Sequence, residues 1–483
     1  MSSEEAVVVG SAQMNATLNN PDLAPTPPEQ RKWTAWSYTA VWMGIAHNIN
    51  QWILAAGFIA LGASFWQAFA GIVTAFGVVY LGVVANSICG AKYGLSFPVI
   101  MNVIFGDKAA KVAIFVRAII GVFYFGVFIY VCNEAIDVAL NAVIPGWDKL
   151  SAIQILGMGL NTAIGYAIAI ALHFYIVTHG IERIRQFELW AGPLIMVVAL
   201  ALAIWAITVA GGVAPILSMG GHLSGGTFWV VFFLCVTGNI GSMATLMVNV
   251  PDLTRFARTQ KDQLIGQTIG LPIMFIFFSV VSLFATVGTV FAFGKVVTDP
   301  LQIMTRFDSP IVVFIGAVFI LGSTLSLNAA TNAVAVGFDF TGLFPSKLTF
   351  KRSVKIGIVV SIFAVPWLWY GKAEIMNSIF GAFGASMGPL LAIMLVDYYI
   401  VRRQRIDIDA LYSGSGAYTY WRGYNHTALI AFGVGFLAAL SGLIIPAISA
   451  LYAFNWFIGV AVGGVVYLLL NLEKVRRPQL LER

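Results

Sequence analysis

The chain has 483 residues, of which 59% are hydrophobic and only 10% are charged. A soluble domain carries roughly 25% charged residues, so this composition excludes a soluble globular protein and requires a lipid environment. The formal net charge of +6 does not indicate nucleic-acid binding, because the basic residues are spread among many short loops. Cys89, Cys132 and Cys235 all lie inside apolar runs, where cysteine behaves as a small hydrophobic residue, so we expect no disulfide and no zinc site.

Apolar runs long enough to cross a bilayer recur along the whole chain. Because these runs are continuous and do not alternate with a period of two residues, they predict membrane-spanning helices rather than barrel strands. The predicted spans are residues 37–61, 65–89, 113–143, 156–179, 187–210, 227–249, 265–294, 311–337, 354–371, 377–401, 427–447 and 451–472. They predict an all-α integral membrane protein of about twelve transmembrane helices, in one membrane domain at residues 31–473.

The segments outside this domain are short and polar. Residues 1–30 contain Pro21, Pro25, Pro27 and Pro28, which predicts a disordered N-terminal tail. Residues 474–483 form the C-terminal tail. We expect no cleavable signal peptide.

The lysine and arginine residues predict the orientation in the membrane. All but four of the 27 fall in the two tails or in the loops that follow even-numbered spans; the exceptions are Lys149, Lys295, Arg306 and Lys372. Because basic residues concentrate in cytoplasmic loops, this alternation predicts an even number of spans with both termini in the cytoplasm.

Two spans carry polar residues near their middle. The first contains Gly44-Ile-Ala-His-Asn-Ile-Asn-Gln51, and the sixth contains Thr237-Gly-Asn-Ile-Gly-Ser242. They occupy corresponding positions in two halves, at about 37–210 and 227–401. Paired broken helices in such positions are typical of the midplane binding site of an inverted-repeat transporter. The alternative is that the glycines only permit close helix packing.

Spans three and eight add further polar and aromatic residues. Asn332 has an amide whose partners its own helix cannot supply, whereas Ser323, Thr324 and Ser326 can bond back to their own helix. Tyr124 and Phe128 are four residues apart and therefore share one helix face, where packing is the common role of such pairs.

Two residues are candidate proton carriers. Glu134 is a carboxylate inside a predicted membrane span, where ionisable residues usually have a functional role. The alternative is that it lies near the outer end of its span and is solvated by water. His47 titrates between pH 5 and 8, although a neutral imidazole bonded in a polar core is an equal alternative. The sequence contains no convergent catalytic set, no metal-ligand spacing and no G-x-x-x-x-G-K-[ST] loop. We therefore expect no enzyme and no cofactor, and any work done by the chain must be driven by a gradient and not by ATP that the chain hydrolyses.

These stretches resemble the nucleobase:cation symporter-1 family, which includes hydantoin, allantoin, uracil and cytosine permeases. The resemblance covers nearly all of the chain after residue 20, and the allantoin permease branch is the most similar. The motifs that carry it are Asn20-Pro-Asp-Leu-Ala-Pro-Thr-Pro, Trp42-Met-Gly-Ile-Ala-His-Asn, Asn249-Val-Pro-Asp-Leu-Thr-Arg-Phe-Ala, Asn328-Ala-Ala-Thr-Asn332, Gly388-Pro389, Asp397-Tyr-Tyr-Ile-Val-Arg-Arg403, Leu411-Tyr412 and Tyr418-Thr-Tyr-Trp-Arg-Gly423. It implies a five-plus-five inverted-repeat (LeuT-like) fold with two extra helices at about 427–472, and alternating access.

The resemblance also implies a set of substrate-binding residues. Hydrogen-bonding residues of the family correspond to Asn48 and Asn332, the residue before its sixth-helix tryptophan corresponds to Ser242, and a gating leucine of its tenth helix corresponds to Met387. Three other positions differ from the family pattern, since Tyr124 and Met243 stand in place of tryptophans and Phe128 in place of a glutamine. We expect a site that keeps an aromatic wall but lacks one stacking face and one amide, which disfavours hydantoin itself.

The family's sodium site can be compared in the same way. Its carbonyl ligands correspond to Gly44, His47 and Ser323, and its two hydroxyl ligands correspond to Ser326 and Leu327. Leucine offers no oxygen to a hard cation, so one ligand is missing. Proton coupling through His47 or Glu134 is therefore the competing hypothesis to sodium coupling.

The sequence as a whole predicts a secondary active importer of a small nitrogen heterocycle, such as a nucleobase, allantoin or a hydantoin-like compound. The alternatives are an importer of a non-nucleobase ring, such as an imidazole acid or a vitamin ring, and a passive facilitator. The expected partners are the small-molecule substrate and the lipid bilayer, with no nucleic acid. We expect a monomer in the bacterial inner membrane.

Overall fold

The computed structural model describes residues 18–46, 49–177, 181–370, 373–413 and 418–476. The helices in chain order are α1 (Ala35–Ala46), α2 (Ile49–Ala60), α3 (Phe65–Tyr93), α4 (Phe97–Phe105), α5 (Ala110–Val143), α6 (Leu160–Val177), α7 (Ile181–Val209), α8 (Val213–Leu217), α9 (Gly225–Asn249), α10 (Pro251–Thr254), α11 (Gln260–Thr268), α12 (Met274–Phe293), α13 (Pro300–Met304), α14 (Pro310–Asn328), α15 (Val334–Leu343), α16 (Phe350–Ile362), α17 (Ala373–Leu395), α18 (Ile408–Ser413), α19 (His426–Ile444), α20 (Asn455–Leu470) and α21 (Leu472–Arg476). Three π-helical turns, at Ile269–Ile273, Ala329–Ala333 and Val396–Val401, follow α11, α14 and α17 without a break. Strands β1 (Gln154–Ile155) and β2 (Met158–Gly159) form a short antiparallel hairpin that pairs Gln154 with Gly159 and Ile155 with Met158.

Within the described residues, eight helical segments are long and apolar enough to cross a membrane. They are Phe65–Tyr93, Ala110–Val143, Gly225–Asn249, Gln260–Phe293, Pro310–Leu343, Gly381–Val401, Trp421–Ile444 and Pro446–Leu470. Shorter apolar helices at Ile49–Ala60, Leu160–Ile176 and Ala199–Val209 fall on three of the other predicted spans. The prediction of an all-α membrane protein is confirmed.

Two predicted spans are shorter in the structure than the sequence suggests. The β1–β2 hairpin occupies the predicted start of the fourth span, so α6 begins at Leu160 and not at residue 156. The ninth span, predicted at 354–371, ends with α16 at Ile362. Val365 then adopts a left-handed φ of 42° before Pro366, and a proline at this point cannot continue the preceding helix.

The sixth predicted span, α9, is one uninterrupted helix, so the prediction that residues 237–242 break it is wrong. Two of its polar side chains form hydrogen bonds without a break in the helix, because Asn239 Nδ2 donates to Cys235 O and Ser242 Oγ donates to Asn239 O. Gln51 Nε2 of α2 also donates to Asn239 Oδ1 at 3.0 Å, which links the polar patches of the first and sixth spans. The predicted break in the first span falls on residues 47 and 48, which lie outside the described residues.

The helices that surround the candidate site pack closely. The long helix α5 runs along α14, and α9 packs against α2, α3 and α17. The two extra C-terminal helices, α19 and α20, pack on α17. Small residues permit this contact, since a Cβ at Gly435 or Gly463 would come within 2.8 Å of Pro389 on α17.

The described part of the N-terminal segment, residues 18–30, is packed against the protein, which corrects the prediction of a disordered tail up to residue 30. Asn20 Nδ2 donates to the carbonyl oxygens of Pro345 (2.7 Å) and Leu348 (2.8 Å). Asp22 Oδ2 accepts from Phe350 N at 2.7 Å, where α16 begins. Leu23 is fully buried. Hydrogen bonds of specific side chains, rather than overall apolar content, therefore hold this polar segment.

Asn20→Ala is expected to release the N-terminal segment, because it leaves two backbone carbonyls without their donor. The cost should be about 1–3 kcal/mol of local stability. Limited proteolysis in detergent should show faster cleavage before residue 31 than in the unchanged protein. Glu29→Gln, at an exposed position of the same segment, is the control and should leave the cleavage rate unchanged.

Candidate substrate site

A small cavity of about 20 Å³ lies where α2, α5, α9 and the π turn after α14 meet. Its lining residues are Asn50, Arg117, Tyr124, Phe128, Ser242, Met243, Thr245, Leu246, Leu327, Thr331 and Asn332. A cavity needs roughly 10–15 Å³ to hold one water molecule, so this space has room for about one water molecule and not for a heterocyclic ring. The structure brings together five residues predicted to bind substrate: Tyr124, Phe128, Ser242, Met243 and Asn332.

Of the other two predicted substrate residues, the structure describes only Met387. It lies on α17 with its side chain fully buried and does not line the cavity. Asn48 lies outside the described residues. Asn50, two residues further along at the start of α2, lines the cavity with an amide of the same chemistry.

One wall of the cavity is aromatic. Tyr124 and Phe128 lie along the same face of α5, with ring centroids 6.3 Å apart and ring planes only 20° from parallel. Phe383 of α17 packs against Tyr124 at 5.7 Å. Tyr124 and Phe128 are 6% and 7% exposed, so the wall is held in place and offers flat faces to a planar ring.

Asn332 is positioned by a chain of buried hydrogen bonds. The expectation that its own helix supplies no partner for the amide is wrong, because Asn328 lies one turn earlier on the same helix. Its Nδ2 donates to Asn328 Oδ1 at 2.8 Å, and Asn328 Nδ2 in turn contacts Phe125 O (3.1 Å) and His173 Nε2 (2.9 Å). His173 Nδ1 lies 2.7 Å from Ala169 O, which can only accept, so Nδ1 carries the proton and Nε2 accepts from Asn328. A neutral His173 on α6 thus fixes the orientation of two asparagines.

The predicted cation-coupling residues that the structure describes lie on α1 and α14. Ser323 Oγ donates to Ile320 O, and Ser326 is fully buried on α14. The Leu327 side chain lines the cavity and supplies no oxygen. Gly44 is buried in α1, and His47 lies outside the described residues.

Glu134 stands apart from the cavity, in the later half of α5. It lies within electrostatic range of the carboxylates of Asp137 and Asp299. Asp137 Oδ1 is occupied, because it accepts from Trp147 Nε1 (2.6 Å) and Asn161 Nδ2 (2.8 Å).

Arg117 is a cavity residue that sequence reasoning missed. The available signal was its position inside the third predicted span, at residues 113–143, where a charged residue is unusual. In the structure Arg117 is 1% exposed and its Nη1 lies 3.4 Å from Asp339 Oδ2 of α15. Thr331, one residue before Asn332, also lines the cavity, but its Oγ1 donates to Leu327 O at 2.8 Å.

A larger cavity, of about 290 Å³, lies between α2, α7, α12, α13 and α14. Its lining is apolar and aromatic apart from Ser323, and includes Trp52, Trp205, Phe278 and Phe307. A site of this kind offers almost nothing to read the donors and acceptors of a polar ring. The smaller polar cavity is therefore the better candidate.

Comparisons with known proteins match most of the chain to one family. The family model described as permease for cytosine/purines, uracil, thiamine and allantoin matches residues 25–459. The allantoin permease of Bacillus subtilis is 37% identical over 95% of this chain and 94% of its own length. The purine-uracil permease of Arabidopsis thaliana is 31% identical over 97% of this chain and 80% of its own length.

A solved structure shares the fold. It is a nucleobase-cation-symport-1 family transporter in a closed conformation with bromovinylhydantoin bound, and it covers 95% of both chains with a TM-score of 0.78 at 22% identity. The predicted inverted-repeat transporter fold and the resemblance to this family are confirmed, and the matched relatives are permeases rather than enzymes. The chain is thus a multi-pass membrane transporter and belongs to the permease family for cytosine/purines, uracil, thiamine and allantoin.

Proposed function

We propose that the chain is a secondary active importer of a small, planar nitrogen heterocycle, such as a nucleobase, allantoin or a hydantoin-like compound. The observation that carries the proposal is the small cavity lined by the aromatic side chains of Tyr124 and Phe128 and by two polar residues of other helices, Ser242 and Asn332. A flat ring can stack on the aromatic side chains, while Ser242 and Asn332 form hydrogen bonds with the groups on the edge of the ring. The resemblance to the allantoin permease of Bacillus subtilis, at 37% identity, supports the same substrate class.

Alternating access fits this cavity better than a passive pore does. A facilitator would need a continuous polar path through the protein, whereas this cavity has room for only about one water molecule. Accumulation of substrate against its gradient supports the importer, and simple equilibration would support the facilitator.

The residue at position 327 bears on the choice between a proton and sodium as the coupling ion. Leu327 cannot act as an oxygen ligand, so a sodium site built on Gly44, Ser323 and Ser326 would lack one ligand. We therefore favour a proton as the coupling ion over sodium. We further propose that both termini lie in the cytoplasm, as the basic loops predict. The protein is proposed to be a monomer in the inner membrane.

Uptake of a labelled panel tests the proposal. Uracil, cytosine, hypoxanthine, allantoin, hydantoin and an imidazole acid are supplied to cells that overproduce the protein, at pH 6 and pH 8, with and without sodium. We expect accumulation of at least one nucleobase or ureide, stronger at pH 6 and indifferent to sodium. Accumulation of the imidazole acid alone would favour the non-nucleobase alternative, and uptake that saturates with sodium but is flat with pH would contradict proton coupling.

Glu134→Gln is expected to flatten the difference in uptake between pH 6 and pH 8. The change keeps the size of the side chain but removes the carboxylate that could carry the proton. Uptake at both pH values, normalised to the amount of protein in the membrane, is the measurement. Asp148→Asn, an exposed carboxylate in the following loop, is the control and should keep the pH difference. An unchanged profile in Glu134→Gln would remove Glu134 as the carrier and leave His47.

A further inference from the structure

Arg117 lines the cavity from α5, on the side of that helix's N-terminus. Arg117 precedes Tyr124 by seven residues, about two helical turns, so both lie on the same face of α5. The side chain is 1% exposed and lines the cavity, so its charge lies in the protein interior and not in a hydrated loop. A buried charge of this kind inside a membrane-spanning helix is costly and marks a functional position.

The hydrogen-bonding capacity of Arg117 is only partly used by the protein. Its Nη2 donates to Asn249 Oδ1 at 3.1 Å. Its Nε and Nη1 have no hydrogen-bond acceptor among the described residues, although Nη1 is within ion-pair distance of Asp339. Because arginine cannot lose its proton in a protein, these groups remain donors, and a buried donor without an acceptor is unfavourable.

Gly121 creates the space that the guanidinium occupies. A Cβ at residue 121 would collide with Arg117 Nη1. Since Gly121 lies one turn beyond Arg117 in the direction of Tyr124, the guanidinium is folded along α5 towards the aromatic wall. The local sequence Arg117-x-x-x-Gly121-x-x-Tyr124 thus places a donor group beneath the surface on which a ring would stack.

Asp339 determines what kind of ligand can use this donor. The carboxylate lies beside Nη1, is fully buried, and has no hydrogen-bond donor among the described residues. It compensates the charge of Arg117, so the pair offers little net attraction to an anionic substrate. The pair still offers N–H groups to an uncharged oxygen, because the carboxylate does not use Nε.

We propose that Arg117 is a specificity-determining residue that reads a carbonyl oxygen on the edge of a neutral ring stacked on Tyr124. This inference rests on the proposed function and narrows it: the substrates are cyclic ureides and oxo-substituted bases, and rings with an amino group at that edge are rejected. The rejection has a simple cause, since an amino group is a donor and meets a donor.

Matched pairs of rings that differ by an oxo and an amino group test the inference. Uracil with cytosine, and hypoxanthine with adenine, compete with the labelled substrate that the unchanged protein accumulates. We expect the oxo member to inhibit uptake at a concentration about 10- to 100-fold lower than the amino member, the range expected from one hydrogen bond to a charged group. Equal inhibition within both pairs in the unchanged protein overturns the inference and leaves the importer standing. No accumulation of any ring overturns both.

Variants separate the role of Arg117 in recognition from a role in folding. Arg117→Gln combined with Asp339→Asn removes both charges together and leaves an amide that can donate and accept, so the oxo preference should fall to near one. Arg117→Lys keeps only donors and should keep the preference. Arg258→Gln, an exposed arginine paired with Asp262, is the matched control and should keep it as well. If the double variant fails to reach the membrane, the unchanged protein and Arg117→Lys still test the inference. Loss of the oxo preference in Arg117→Lys would contradict recognition of the carbonyl oxygen by a donor at this position.

Discussion

Asn332→Ala is expected to abolish uptake while leaving the amount of protein in the membrane unchanged. Asn332 lines the cavity on the π turn after α14, opposite the aromatic wall, and Asn328 fixes its amide through a 2.8 Å hydrogen bond. A buried site built to hydrogen-bond a substrate discriminates by roughly 10⁴-fold when that bond cannot form, so we expect uptake to fall by at least about 100-fold. The measurement is the initial rate of uptake of the substrate found with the labelled panel.

The control for this variant is Asn141→Ala, which makes the same chemical change at an exposed position outside the cavity. It should transport at the rate of the unchanged protein. A second variant, Asn332→Asp, keeps the size and the acceptor of the side chain but loses the group that donates to Asn328. It should bind substrate more weakly than the unchanged protein. Full transport by Asn332→Ala would mean that the substrate site lies elsewhere, and the apolar cavity between α7, α12 and α14 would then be the next candidate.

The membrane fold could be predicted from the sequence because lipid imposes one simple rule on the backbone. Continuous apolar runs must be helices, and the basic residues sort the loops. The ends of the helices could not be predicted equally well, since α16 stops where Val365 and Pro366 turn the chain, within a run that is still apolar. The packed structure of residues 18–30 could not be predicted because it depends on contacts that are distant in sequence. Asn20 and Asp22 form hydrogen bonds with the loop and helix around residues 345–350, more than 300 residues away.

The candidate site could be predicted only in part. The positions of Tyr124, Phe128, Ser242, Met243 and Asn332 came from resemblance to a family, and the structure places them around one cavity. The continuous α9 could not be anticipated, because whether Asn239 breaks a helix depends on a partner, Gln51, from another span. His173 supports Asn332 through Asn328, in a tertiary contact between α6 and α14. No local sequence pattern predicts such a contact.

The second large effect is expected on stability, at the buried ion pair between Asp397 and Arg402. Arg402 Nε donates to Asp397 Oδ2 at 2.7 Å, and Tyr467 of α20 donates to Asp397 Oδ1 at 2.7 Å. Arg402 Nη2 also donates to Val103 O and to the Tyr420 hydroxyl. The pair therefore joins the end of α17 to α4, α20 and the segment before α19, with side chains only 5% and 3% exposed.

Asp397→Ala is expected to lower the free energy of unfolding by about 3–5 kcal/mol, because it leaves the Arg402 charge buried without its partner. Denaturation in detergent micelles, followed by tryptophan fluorescence, is the measurement. Asp397→Asn should lose less, since its amide oxygen can still accept from Arg402. Asp409→Ala, at an exposed position on α18, should change stability by no more than about 0.5 kcal/mol. Because the pair lies away from the cavity, any folded Asp397→Asn protein should keep the ring preference of the unchanged transporter, and a change in that preference would show that this end of α17 also shapes the substrate site.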